Sequence, residues 1–314
     1  MKNQFLQFIS GLGVMIIAVA LLLFVPSLSA IYMPICLAVF CALNLTESKW
    51  QSIVLFVITF SATAFLSYSV YFALLCVLLP YALSVIASAL IKKSAGEKSL
   101  TLIFGIANAL FFAGVIYFAK DEIGGIDGLF AQMSATFNQN VDMLAEQGLI
   151  DAEMKSAYLE MLGLILQQLR IMAPSMLFVF SAITGYITVW ILWLVSKFIK
   201  PAYLFKPTFS RFKCNTVTSG MTILVCLLSI FIKDGVLGVA LDNAFAIFSF
   251  LLCVCTASLA DYWLKSKNWV TIVRIIIVLF LLSNYSGSIL SLLMCMIAIM
   301  DARVDFRRLE IQED

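Results

Sequence analysis

Residues 120–170 read KDEIGGIDGLFAQMSATFNQNVDMLAEQGLIDAEMKSAYLEMLGLILQQLR, the one long stretch of this chain that a lipid bilayer would reject. Three basic residues (Lys120, Lys155, Arg170) face eight acidic ones (Asp121, Glu122, Asp127, Asp142, Glu146, Asp151, Glu153, Glu160), a net charge of −5. Apolar residues return at Phe130, Met133, Phe137, Val141 and Leu144, the three-and-four spacing of an amphipathic helix. Gly148 ends that helix. Asp151 reads as the N-cap of a second one carrying Met154, Tyr158, Met161, Ile165 and Leu169, and Pro174 marks its step into the next segment. The stretch reads as a helical pair lying on the ends of membrane spans, with a lid or a docking surface as the alternatives.

Outward from it in both directions the chain is almost unbroken apolar sequence. Of its 314 residues 63% are hydrophobic and 12% charged, with a mean hydropathy of +1.05. A soluble domain carries about 25% charged residues, so this composition excludes that class. Charge-free runs of roughly 15–25 residues read as transmembrane helices, because lipid leaves each backbone group to be satisfied within its own helix. Five runs precede the acidic stretch: 5–25, 30–45, 52–66, 69–91 and 100–119. Five follow it: 173–196, 217–232, 235–260, 269–283 and 287–300. The last two are short enough to form instead a re-entrant hairpin, or one helix broken at Asn284–Gly287. Lys2 and Ser27–Ala30 imitate a secretory signal, but the first run is long and a second begins at once.

Charge sets the orientation. With the N-terminus inside, sixteen of the 20 basic residues fall on the cytoplasmic side, and Lys120, Lys155, Arg170 and Lys233 fall outside. Trp50, Trp190, Trp193, Trp263 and Trp269 gather near the same inner interface. The expected fold is therefore an all-α polytopic membrane-spanning helical bundle of about ten spans, both termini cytoplasmic. Its expected parts are a five-span half (1–119), an extracytoplasmic acidic helical insert (120–172), a second five-span half (173–301) and a cytoplasmic tail (302–314). The halves would have opposite orientations, which suits an inverted repeat, though they share no convincing similarity.

Few ionisable residues fall within spans, and each is a candidate site. Asp242 and Asn243 lie about two turns from the outer end of the eighth run, and Asn284, Tyr285 and Ser286 form a polar break at the same side. Together they could line a ligand pocket open to the outside; the alternative leaves Asp242 in water near Lys233. At the inner side Asp261, Arg274 and Asp301 sit at similar depth, read as a structural ion-pair cluster or as coupling to a partner. The tail adds Asp305, Arg307 and Arg308. The inner loop 197–213 holds five basic residues and no acid, suited to anionic headgroups or a cytosolic partner.

Catalytic and metal chemistry find no footing. The chain has no histidine, no GxSxG, no P-loop and no HExxH. Seven of eight cysteines lie in apolar runs and none forms CxxC, so neither zinc nor disulfides are expected. No cofactor and no nucleic-acid partner are expected either.

The tail Asp301-x-x-x-Asp305-Phe306-Arg307-Arg308 after a last apolar run resembles the C-terminus of the YybS-like family, bacterial membrane proteins of unknown function. An insert ending at a proline and a tryptophan before Lys200-Pro201 fit the same layout. The resemblance implies a bacterial inner-membrane protein, and S-component-like capture of a small solute, as in energy-coupling-factor transporters. S components have six spans, however, where ten are read here, and the first run lacks their alanine spacing. The two functions expected are thus solute binding from the outer face, or a non-catalytic scaffold whose inner basic loop and tail recruit a partner.

Overall fold

The structure is a computed structural model that describes residues 2–24, 29–46, 49–67, 69–93, 96–118, 120, 124–199, 206–283 and 289–307. All regular structure among these residues is helical. The helices are α1 (Lys2–Phe24), α2 (Ser29–Asn44), α3 (Trp50–Ser67), α4 (Val70–Lys92), α5 (Glu97–Phe118) and α6 (Gly125–Glu146). They continue with α7 (Ala152–Ile199), α8 (Thr216–Phe231), α9 (Gly235–Ser266), α10 (Thr271–Ser283) and α11 (Ile289–Val304). Five of them, α3, α4, α5, α7 and α9, are long and apolar enough to cross a membrane; α8 and α10 are shorter apolar helices.

The chain divides into two compact units. One comprises Met1–Ala173 with Phe180–Pro207, the other Pro174–Val179 with Thr208–Asp314. Most of α7 therefore falls within the first unit.

In the first unit α2 is the hub. It is apolar on all sides, and Tyr32, Met33 and the run Cys36–Leu43 have no exposed surface. A helix without a polar face belongs at the centre of its bundle. α1, α3, α4 and α5 surround it. Within α4 the turn Leu74–Leu78 is π-helical, just before Pro80. Proline has no N–H to give the carbonyl four residues back, which is that of Cys76. The Tyr32 hydroxyl donates to that carbonyl at 3.0 Å, so the vacancy is filled from α2.

α5 and α7 cross at a glycine pair. A Cβ on Gly185 would lie 2.5 Å from the Gly105 nitrogen and 2.6 Å from the Thr101 carbonyl oxygen, so only glycine fits this contact.

The expected step at Pro174 is absent. α7 runs unbroken for 48 residues, about 72 Å at 1.5 Å per residue. Proline normally interrupts a helix by crowding the preceding turn and removing a bond. Here the Ser175 N–H beside it donates to the Asn243 side-chain oxygen of α9 at 3.1 Å, which supports the backbone where the proline disturbs it.

The acidic insert is a helical hairpin of α6 and the first third of α7. The Asp151 carboxylate accepts from the Met154 N–H at 2.7 Å, the N-cap read from the sequence. The seam differs from expectation. Val141 is the one member of the expected stripes that is buried, and the half-buried residues of α7 are Lys155, Leu159, Leu162, Leu166 and Leu169. Of the residues read as inward-facing, Met133, Phe137, Leu144, Met154, Tyr158, Met161 and Ile165 are exposed. α7 carries two adjacent apolar stripes, and spacing alone could not tell which one its partner helix covers.

In the second unit α9 is the central helix, packed by α8, α10 and α11. α10 buries no residue, and its attachment to α9 includes the Arg274–Asp261 ion pair, 2.7 Å.

Candidate functional site

The two candidate groups read from the sequence meet different fates. On the first, Asp242 is exposed, and no ion pair engages it among the described residues. Asn243 is buried, donates to the Val239 carbonyl at 2.9 Å and accepts from Ser175. It is a packing residue that joins α9 to residues 174–179. Asn284, Tyr285 and Ser286 lie outside the described residues, as does Arg308.

The second group converges. α11 ends at Val304, and Asp305 follows with φ of 50°. This left-handed residue turns the chain back, a common helix ending that aspartate tolerates better than most non-glycine residues. The reversal is held by Asp301, whose Oδ1 accepts from the Phe306 N–H at 3.2 Å. Its other oxygen, Oδ2, accepts from Arg307 Nη2 at 2.6 Å. One carboxylate one turn from the helix end thus fixes both the turn and the arginine that follows. The motif Asp301-x-x-x-Asp305-Phe306-Arg307 is a hairpin of side chains written into seven residues.

Arg307 is only 1% exposed. Its four terminal N–H groups all find acceptors: Asp301, the Ser210 carbonyl at 2.9 Å, the Phe212 carbonyl at 2.9 Å and the Ser258 hydroxyl at 2.8 Å. Ser258 in turn donates to the Phe209 carbonyl at 2.6 Å. Three carbonyls of one short segment, whose centre is the 3-10 turn Phe209–Arg211, are therefore gathered at one guanidinium and its hydroxyl neighbour. The planar fork of arginine suits this multidentate task, which a lysine could not reproduce. Tyr262 closes the far side by donating to the Arg307 carbonyl at 3.3 Å.

Lys213 and Asp305 form a further ion pair at 2.9 Å, both side chains largely shielded. The inner-face group thus resolves into three partnerships, Asp261–Arg274, Asp301–Arg307 and Asp305–Lys213. Each of the three carboxylates is spent within the unit. Arg211, Lys265, Lys267 and Arg303 remain exposed, with no ion pair among the described residues, and Trp263 and Trp269 are half-exposed beside them in sequence. The C-terminal end of α9 and α11 is accordingly a fixed, outwardly cationic surface.

What sequence reasoning missed here is Ser258, Ser210 and the carbonyls of 209–212. A serine in an apolar helix carries no signal until the arginine that reaches it is placed. No group of three or more metal-ligating side chains is present among the described residues.

A family described as "Predicted membrane protein (DUF2232)" matches residues 13–302 of the chain. No curated protein and no solved structure matches it.

Proposed function

The chain belongs to that family of predicted membrane proteins, and on this footing we propose that it is a non-catalytic membrane scaffold whose cationic end recruits an acidic partner. The observation that carries the reading is the Arg307 clamp. It holds residues 209–212 in one conformation and spends every described carboxylate at that end internally, so Arg211, Lys265, Lys267 and Arg303 are left to face outward. A preorganised charged surface loses little freedom on docking. In this reading the chain crosses a bacterial cytoplasmic membrane ten times, both termini are cytoplasmic, and the positive end faces the cytosol. The shorter apolar stretches of α1, α2, α8, α10 and α11 then complete the count beside the five long helices, by tilting or by local thinning of the bilayer.

The test is recovery of crosslinked partner from intact membranes. Arg211→Gln with Lys265→Gln and Lys267→Gln should abolish recovery while membrane insertion is unchanged. Undiminished recovery would remove this surface from consideration, and loss of anionic lipid alone would assign it to headgroups.

A second reading has its own observation. Asp242, unpaired among the described residues in an otherwise apolar part of α9, would then contact a solute from the outer face together with residues 284–286. Native mass spectrometry of the gently solubilised protein decides it: a stoichiometric small molecule that disappears in Asp242→Ala supports solute capture, and no bound molecule in either protein rejects it.

A further inference from the structure

The seam between α9 and α11 carries short side chains, Ser249, Cys253 and Thr256 on one helix and Ser291 and Cys295 on the other. Small residues let two helix backbones approach closely inside a membrane. Thr256 shows how near they come: its hydroxyl donates across the seam to the Met294 carbonyl at 2.5 Å. The two cysteines cross the same seam in opposite directions. Cys253 Sγ lies 4.0 Å from the Ser291 carbonyl oxygen, and Cys295 Sγ lies 3.8 Å from the Ser249 carbonyl oxygen. Each sulfur thus reaches the carbonyl one helical turn before the opposite cysteine. The two thiols are also hydrogen-bonding neighbours of each other, and both are free.

A buried cysteine ordinarily serves as a small apolar residue, and its reactivity is decided by access. Access is what distinguishes this pair. Cys253 has no exposed surface, but Cys295 is only partly buried, and its neighbours Leu292 and Met296 are 59% and 60% exposed. In a membrane protein such residues face lipid. Cys253 stands about 27 Å from the start of α9 and about 20 Å from its end, close to the midpoint of the helix. A hydrocarbon layer about 30 Å thick therefore covers it on both sides. Water-soluble oxidants and glutathione do not enter that layer, whereas a lipid-soluble oxidant lives in it. Cys36 and Cys76 of the first unit are neighbours too, but neither has any exposed surface, so no oxidant reaches them.

We infer that Cys253 and Cys295 are a redox site, a dithiol that a lipid-soluble quinone converts to a disulfide joining α9 to α11. Cys295, the thiol with an exposed edge, meets the quinone, and Cys253 completes the sulfur–sulfur bond. Two S–H bonds break and one S–S bond of about 2.05 Å forms. The two electrons and two protons pass to the quinone, which leaves as the hydroquinone. A small dithiol reductant reverses the step by thiol–disulfide exchange. The bond closes one turn from Ser258 and less than two turns from Asp301, so it braces the two helices that hold the Arg307 clamp.

The experiment places the full-length, fully reduced protein in nanodiscs without oxygen and adds a short-chain ubiquinone analogue. The reaction is quenched with acid, free thiols are alkylated, and the peptides are read by mass spectrometry. The expected result is a Cys253–Cys295 linked peptide lighter by two hydrogens, one hydroquinone per chain, and Cys36 and Cys76 alkylated. Dithiothreitol should return both thiols. In Cys253→Ser and in Cys295→Ser, each tested alone, hydroquinone formation should fall to background. No linked peptide, a stable quinone adduct on Cys295 in its place, equal linkage at other cysteines, or hydroquinone formation indifferent to both variants would overturn the assignment. The parent protein alone supplies the first three readings, so they do not depend on how either variant folds.

Discussion

The cationic end of α9 and α11 and the acidic hairpin of α6 and α7 spend their polar groups in opposite ways. At the first, a buried arginine donates to a carboxylate, two carbonyls and a hydroxyl, and three carboxylates are matched inside the unit. At the second, two exposed ion pairs, Asp127–Arg170 and Asp142–Lys155, join the two helices, while apolar residues such as Phe137 and Met161 stay exposed. Burial decides what each arrangement is worth. A desolvated guanidinium with all four terminal N–H groups bonded is costly to disturb, whereas exposed pairs are screened and contribute little. The first region is finished within the chain, and only its outermost cations look outward.

The sharpest way to break this contrast is at Arg307. Arg307→Met leaves the Asp301 carboxylate buried without its counter-charge and releases two carbonyls, so it should destabilise the protein by about 3–5 kcal/mol. Thermal unfolding in detergent would show it. Arg307→Lys should recover only part of the loss, because a point charge cannot hold four acceptors. A variant as stable as the parent would mean that the clamp is ornamental.

Asn243 and its neighbour Asp242 give the next largest effect. Asn243→Ala removes the acceptor of a buried N–H beside Pro174 and should cost about 1–2 kcal/mol. Asp242→Ala should stay within about 0.5 kcal/mol, since the side chain is exposed and has no ion pair among the described residues. Equal effects would refute the separation of these adjacent residues into packing and surface roles. The smallest effect is expected in the hairpin. A double-mutant cycle on Asp142 and Lys155 should give a coupling below about 1 kcal/mol that fades with added salt. Coupling as strong as at Arg307 would erase the difference between the regions.

Much of this was legible from spacing and charge. Apolar runs announced the helices, and the Asp151 cap was readable because caps are local events; the Asp301-x-x-x-Asp305-Phe306-Arg307 tail carried only a family resemblance, and its chain reversal was not read. Pro174 was misleading for the opposite reason. Its local effect is to end a helix, and the group that lets α7 continue, Asn243, lies 68 residues away. Asn243, read as lining a pocket, is buried and accepts from the Ser175 N–H, a contact that spacing alone does not announce. The hairpin seam was hidden because α7 has two apolar stripes one position apart. Periodicity finds a stripe but not its partner. The carbonyls that Arg307 gathers carry no side-chain signature at all.

The central claim is that the Arg307 clamp fixes residues 208–214 and so shapes the cationic end. Hydrogen exchange of the full protein in nanodiscs tests it most directly, comparing the parent with Arg307→Lys. The clamp predicts slow exchange at Arg211 and Phe212 in the parent, whose N–H groups donate to Thr208 and Phe209. It predicts markedly faster exchange there in the variant, with residues 125–170 unchanged. Equal exchange of residues 208–214 in both proteins would contradict the claim.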